Sequence, residues 1–82
     1  MKTTTAKELK ARKYTDIDNV ITIYGSKVYG RSITRPQLEY MLSLGVDVKK
    51  ATMSQYMKHI SGVDASFAIQ QAKAGKVVKI EF

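Results

Sequence analysis

The sequence predicts one small α+β domain, and three observations carry that prediction. Apolar residues recur at helical spacing in three stretches between residues 16 and 60, while Val78, Ile80 and Phe82 alternate with Lys79 and Glu81 as in a half-buried strand. The chain has 82 residues, 44% of them apolar and 26% charged, close to the size at which a single core suffices for folding. That leaves no room for a separate catalytic domain, and the composition is neither that of a membrane span nor of a disordered polyelectrolyte.

Residues 1–13 hold Lys2, Lys7, Lys10, Arg12 and Lys13 against Glu8 alone, a local charge of +4 within a chain of +7. With only Met1 and Leu9 as sizeable apolar anchors, they read as a basic arm or short terminal helix, with Thr3 to Thr5 as caps. Residues 14–82 form the single domain. Ile17, Val20, Ile21, Tyr24 and Val28 fall within an arc of about 100° on a helix capped by Asp16. Val20 to Tyr24 is also β-branched and aromatic enough for a strand. The helical reading is preferred, ending near Gly25 to Gly30, with Arg31 to Ile33 as an extended link.

Thr34, Pro36 and Gln37 form a capping box with proline in the first turn, so a helix starts there. Leu38, Met41 and Leu42 are its buried stripe and Gly45 its left-handed terminator, which leaves Tyr40 pointing away from the core. A second helix spans 50–60, with Met53, Tyr56, Met57 and Ile60 at i, i+3, i+4 and i+7 and Gly62 closing it. Two readings compete for 64–74: a helix capped by Asp64 and ended by Gly75, or a strand pairing with 77–82 through a basic tip.

The charge excess draws a small cation to polyanions such as nucleic acid. With no Cys, and one histidine, His59, the chain excludes disulfides, thiolate zinc sites, cysteine nucleophiles and multi-histidine metal sites. Asp16 and Asp18 diverge on a helix and make a poor acid/base couple, so no catalytic role, metal or cofactor is expected. The amino terminus has no apolar run of signal-peptide length, so a reduced, cytoplasmic setting is expected. Gly25 to Ser32 approximates a phosphate loop with Arg31 in the lysine position. The helix such a loop requires starts too late, at Thr34, so the stretch reads as an ordinary loop.

Helix, tight turn and second helix is the helix-turn-helix order, whose second helix reads base edges in the major groove. Its outward face carries Ala51, Ser54, Gln55, Lys58 and His59 and no acid. Gln55 suits adenine, Ala51 a thymine methyl, Lys58 guanine or phosphate, and His59 phosphate. The stretch from Ile33 to Ile60, above all Thr34-Arg-Pro-Gln-Leu, Met41-Leu42, Gly45 and Ala51-Thr-Met-Ser-Gln-Tyr56, resembles the winged helix-turn-helix domain of bacterial arginine repressors. Residues 17–21 sit where that family has its first helix. Gln55 replaces the family's base-reading Arg, and Lys49 its capping Ser or Thr, for which Asp47 substitutes. With no second domain present, neither arginine binding nor hexamer assembly is implied.

The resemblance implies a three-helix core plus a C-terminal wing over 65–82, with Lys73 and Lys76 at its tip. The leading expectation is a transcriptional regulator that binds double-stranded DNA through helix 50–60, with Arg35, Lys49, Lys50 and arm residues Lys10, Arg12 and Lys13 on phosphate. One such domain makes few contacts, so a homodimer or cooperative assembly is expected. The alternative is a small phage-type inhibitor or adaptor that uses Tyr29 and Tyr40 on a protein partner. RNA binding lacks a clear aromatic platform.

Overall fold

A computed structural model describes residues 13–82. They form an α+β domain of four strands and three helices: β1 (Tyr14–Ile17), β2 (Val20–Tyr24), α1 (Arg35–Ser43), β3 (Asp47–Val48), α2 (Met53–His59), α3 (Gly62–Lys73) and β4 (Val77–Glu81). The arm residues Lys10 and Arg12 lie outside the described residues.

The first element corrects the helix expected from Asp16 to Gly25–Gly30. Asp18 and Asn19 both take positive φ, 52° and 66°, and make the two-residue turn of an antiparallel hairpin between β1 and β2. Asp and Asn are the non-glycine residues that best tolerate this conformation. The helical arc omitted Ile23, which is fully buried. On a strand, Ile21 and Ile23 face the core together.

All three helices start with the same device. The hydroxyls of Thr34, Thr52 and Ser61 accept from the backbone N–H three residues on, at Gln37, Gln55 and Asp64, whose side chains accept in return from the cap N–H. The expected helix at 34–44 is present, with Leu38 and Met41 buried, but Leu42 is 49% exposed. The second helix begins at Met53 instead of residue 50, because Thr52 caps it; Asp47, the expected cap, belongs to β3, so a nine-residue connection carrying a strand replaces the expected tight turn between the two helices. Tyr56 is its buried residue, and Met57 is exposed.

Residues 64–73 are helical within α3 and Ala74 is its C-cap, so the expected hairpin wing is absent and 77–81 pairs elsewhere. Local preference wins here: Ala65, Phe67 and Ala68 are buried on one side, and Gly75, at φ 90°, ends the helix. Lys73 and Lys76 therefore sit at no wing tip.

The sheet order is β1-β2-β4-β3, with β4 parallel to both β2 and β3. One face, Ile21, Ile23, Val78 and Ile80, is buried in a single core with Leu38 and Met41 of α1 and Phe67 of α3. Tyr14 lies 4.6 Å from Phe67, centroid to centroid. Each fully buried isoleucine contributes about 2 to 3 kcal/mol. The strand register places Thr15, Ile17, Val20, Thr22, Tyr24, Val77, Lys79, Glu81 and Asp47 on the opposite face. There Ile17 and Val77 are 64% and 57% exposed, and no described helix covers them.

Candidate nucleic-acid interface

Two runs of the sequence contain no acidic residue: 25–38, with Lys27, Arg31 and Arg35, and 48–63, with Lys49, Lys50 and Lys58. The fold lays these runs side by side. The Val28 N–H donates to the Lys58 carbonyl at 3.0 Å, that of Ile33 to Ile60 at 2.9 Å, and that of Gly62 to Arg31 at 3.2 Å. Gly25 permits the approach, because a Cβ there would stand 2.7 Å from the His59 carbonyl oxygen. All six cations are solvent-exposed. With few acids to offset them, they leave a positive potential of the kind that collects phosphate.

Between the loop and α2 runs a shallow cleft whose rim includes Lys27, Ser54, Met57 and Lys58. The Lys27 ammonium lies 5.6 Å above the ring of Tyr29, which is 83% exposed. A second hollow joins the starts of α1 and α3 beside Arg31. There the Gln37 amide donates to the Gly62 carbonyl at 3.4 Å and to the Ser66 hydroxyl at 3.3 Å.

The start of α2 is fixed by Tyr56. Its hydroxyl donates to the Lys49 carbonyl at 2.9 Å and accepts from the Ala51 N–H at 3.1 Å. Phe82 packs against the same helix: the Lys49 ammonium sits 4.7 Å above its ring, and His59 stacks on it at 5.1 Å with 17° between planes. Such a stack gives His59 a packing role alongside the expected phosphate contact.

The expected site residues divide into groups. Arg35, Lys50, Ser54, Gln55 and Lys58 are exposed along the two acid-free runs, and Lys49 is exposed in a hollow that it shares with Asp47 and Glu81. Ala51 is half-buried against the core. The Gln55 carbonyl accepts from the Thr52 N–H at 3.1 Å, so a bidentate adenine contact requires the side chain to leave its capping box. Lys13 is exposed, and its carbonyl accepts from Tyr24 beside the start of the loop. Lys73 and Lys76 lie apart: the 12 residues of α3 span about 18 Å, and Lys73 ends the helix whose start touches Arg31. Lys76 is instead 3.3 Å from the Asp16 carboxylate.

Sequence reasoning passed over Lys27, put Met57 on the apolar stripe of helix 50–60, and weighed Arg31 only in the lysine position of a phosphate loop. The available signal was the absence of acids from 25 to 38, which local periodicity does not register. Among the described residues no group of three or more His, Asp or Glu side chains is placed to hold a metal ion, and no helix is long and apolar enough to cross a membrane. No family model, curated protein or solved structure matches this chain.

Proposed function

We propose that the protein binds double-stranded DNA through the acid-free surface built from loop 25–33 and α2, and that it acts in transcriptional control. The observation that carries this reading is the convergence of two acid-free runs, bearing six cations, through three backbone hydrogen bonds. In this reading α2, although nine residues that include β3 part it from α1 where a helix-turn-helix has a tight turn, presents Ser54 and Lys58 to the major groove. The loop grips backbone with Lys27 and Arg31, a task the winged-helix expectation gave to the C-terminal residues.

The test is binding of a labelled duplex by anisotropy over a salt series. If all six cations reach phosphate, log K falls against log salt with a slope of about −5. No binding at low salt, or a flat salt response, refutes the reading. A protein-binding adaptor remains the second reading, favoured by the exposure of Tyr29, of Met57 in the cleft and of Val63 in the second hollow. Substituting Ser54 and Lys58 separates the two, since an adaptor keeps its activity while a DNA reader loses site preference.

A further inference from the structure

On the reading that the acid-free surface binds double-stranded DNA, we propose that the ring of Tyr29 enters the minor groove beside the major-groove stretch held by α2. Among the described residues Tyr29 is the most exposed large apolar or aromatic side chain, at 83%. A single exposed apolar residue is ordinary on any surface; Tyr29 differs in being held at a fixed place. The Val28 N–H is bonded to the Lys58 carbonyl, and the Arg31 carbonyl accepts from the Gly62 N–H, so Tyr29 and Gly30 form a two-residue tip between two anchors. Gly30, at φ 109°, turns the chain back there, in a conformation that strains any residue with a Cβ.

The order of parts across this surface matches the order of features across a duplex. Ser54 and Lys58, one turn apart on α2, stand on one wall of the cleft, and Lys27 and Ser32 on the other. Tyr29 lies beyond that second wall, since Val28 and Gly30 line the cleft and the residue between them does not. With α2 in the major groove, the cleft meets the sugar–phosphate strand that borders it, where two lysines and two hydroxyls suit phosphate. The next feature past that strand is the minor groove. An edge-on ring, about 3.5 Å thick by the contact distance of carbon atoms, fits a groove about 6 Å wide. The Lys27 ammonium, 5.6 Å from the ring centroid, then stands beside the phosphates at the groove mouth. No acid in the run 25–38 opposes the approach.

The groove floor decides which sequences admit the ring. A·T pairs show only acceptors there, whereas each G·C pair adds the guanine amino group, which stands in the path of an apolar ring. Tyr29 therefore selects against G·C next to the bases faced by Ser54 and Lys58. Being neutral, it does so without adding to the salt dependence.

Inosine lacks that amino group and keeps the major-groove edge of guanine. Alternating inosine–cytosine and guanine–cytosine duplexes of equal length therefore present the same major-groove edges and differ in the minor groove. In anisotropy titrations with the full chain, the inosine–cytosine duplex should bind at least about fivefold more tightly, the low end for an aromatic ring against a base. Tyr29→Ala should abolish that preference and leave the salt slope unchanged, and Tyr29→Phe should keep the preference, with circular dichroism confirming that each variant is folded. Equal affinity of the parent chain for the two duplexes, or a preference that survives Tyr29→Ala, overturns the proposal. If binding still falls steeply with salt in that case, the duplex-binding reading stands without it; no binding of either duplex at low salt overturns both.

Discussion

Replacing Gly25 and Gly62 by alanine is one chemical change with opposite expected signs. At Gly25 the new Cβ stands 2.7 Å from the His59 carbonyl oxygen and 3.0 Å from the Phe82 Cβ. Neither neighbour can rotate away. The Ile60 N–H next to His59 is bonded to Tyr56, and Gly25 itself donates to the Glu81 carbonyl at 2.7 Å. The loop must shift away from α2 or the β2–β4 ladder must bend, at about 1 to 3 kcal/mol. At Gly62, the first residue of α3, the closest atom to an added Cβ is the Ser32 carbonyl oxygen at 3.6 Å, an ordinary contact. Alanine there gains about 0.4 to 1 kcal/mol by restricting the unfolded chain. Urea unfolding should move the midpoint down for Gly25→Ala and up for Gly62→Ala with unchanged m-values. For a domain of this size the two melting temperatures should differ by about 6 to 30 °C. Because Gly25 also seats the cationic loop, Gly25→Ala should weaken duplex binding under conditions where the variant is fully folded. A Gly25→Ala protein as stable as the parent would refute the close approach that builds the acid-free surface.

Three further outcomes follow from the same contacts. Tyr56→Phe removes the hydroxyl shared by Lys49 and Ala51 and should cost about 1 kcal/mol in urea unfolding, while destabilising the start of α2. Asp64→Ala deletes a buried carboxylate that accepts from the Ser61 N–H at 3.2 Å, and should cost about 1 to 3 kcal/mol by the same measurement. Lys58→Ala should reduce the steepness of the salt dependence of duplex binding by about one unit, whereas Lys73→Ala, at the far end of α3, should leave it unchanged.

What could be read from the sequence follows the range of the interactions involved. The start of α1 was legible because Thr34, Pro36 and Gln37 state it within four residues. The same grammar stands at Thr52 with Gln55 and at Ser61 with Asp64, and reading it there places the starts of α2 and α3 correctly. The hairpin at 14–24 was obscured because Ile17, Val20, Ile21 and Tyr24 satisfy the helical period as well as part of a strand pattern. Asp18-Asn19 was the deciding pair, since two adjacent residues able to take positive φ mark a hairpin turn. For 65–74 local propensity favoured the observed helix, and the family resemblance pointed to a wing instead. The acid-free surface was half legible: composition marked α2 as free of acids, but no local pattern says that residues 28 and 58 meet.

The position of β4 bears on how the molecule acquires its structure. This strand is the last described element in the chain and yet sits inside the sheet, between β2 and β3, as the parallel neighbour of both. Until residues 77–81 are synthesised and free to pair, the β1–β2 hairpin has no neighbour on its inner edge and β3 has no strand at all. Val20 must then close a contact with Val77 across 56 intervening positions. Such distant pairings slow folding and leave hairpin edges open to other chains in the interval. Three tightly capped helices provide local order early, and the sheet that unites them can form only when nearly the whole domain has been made.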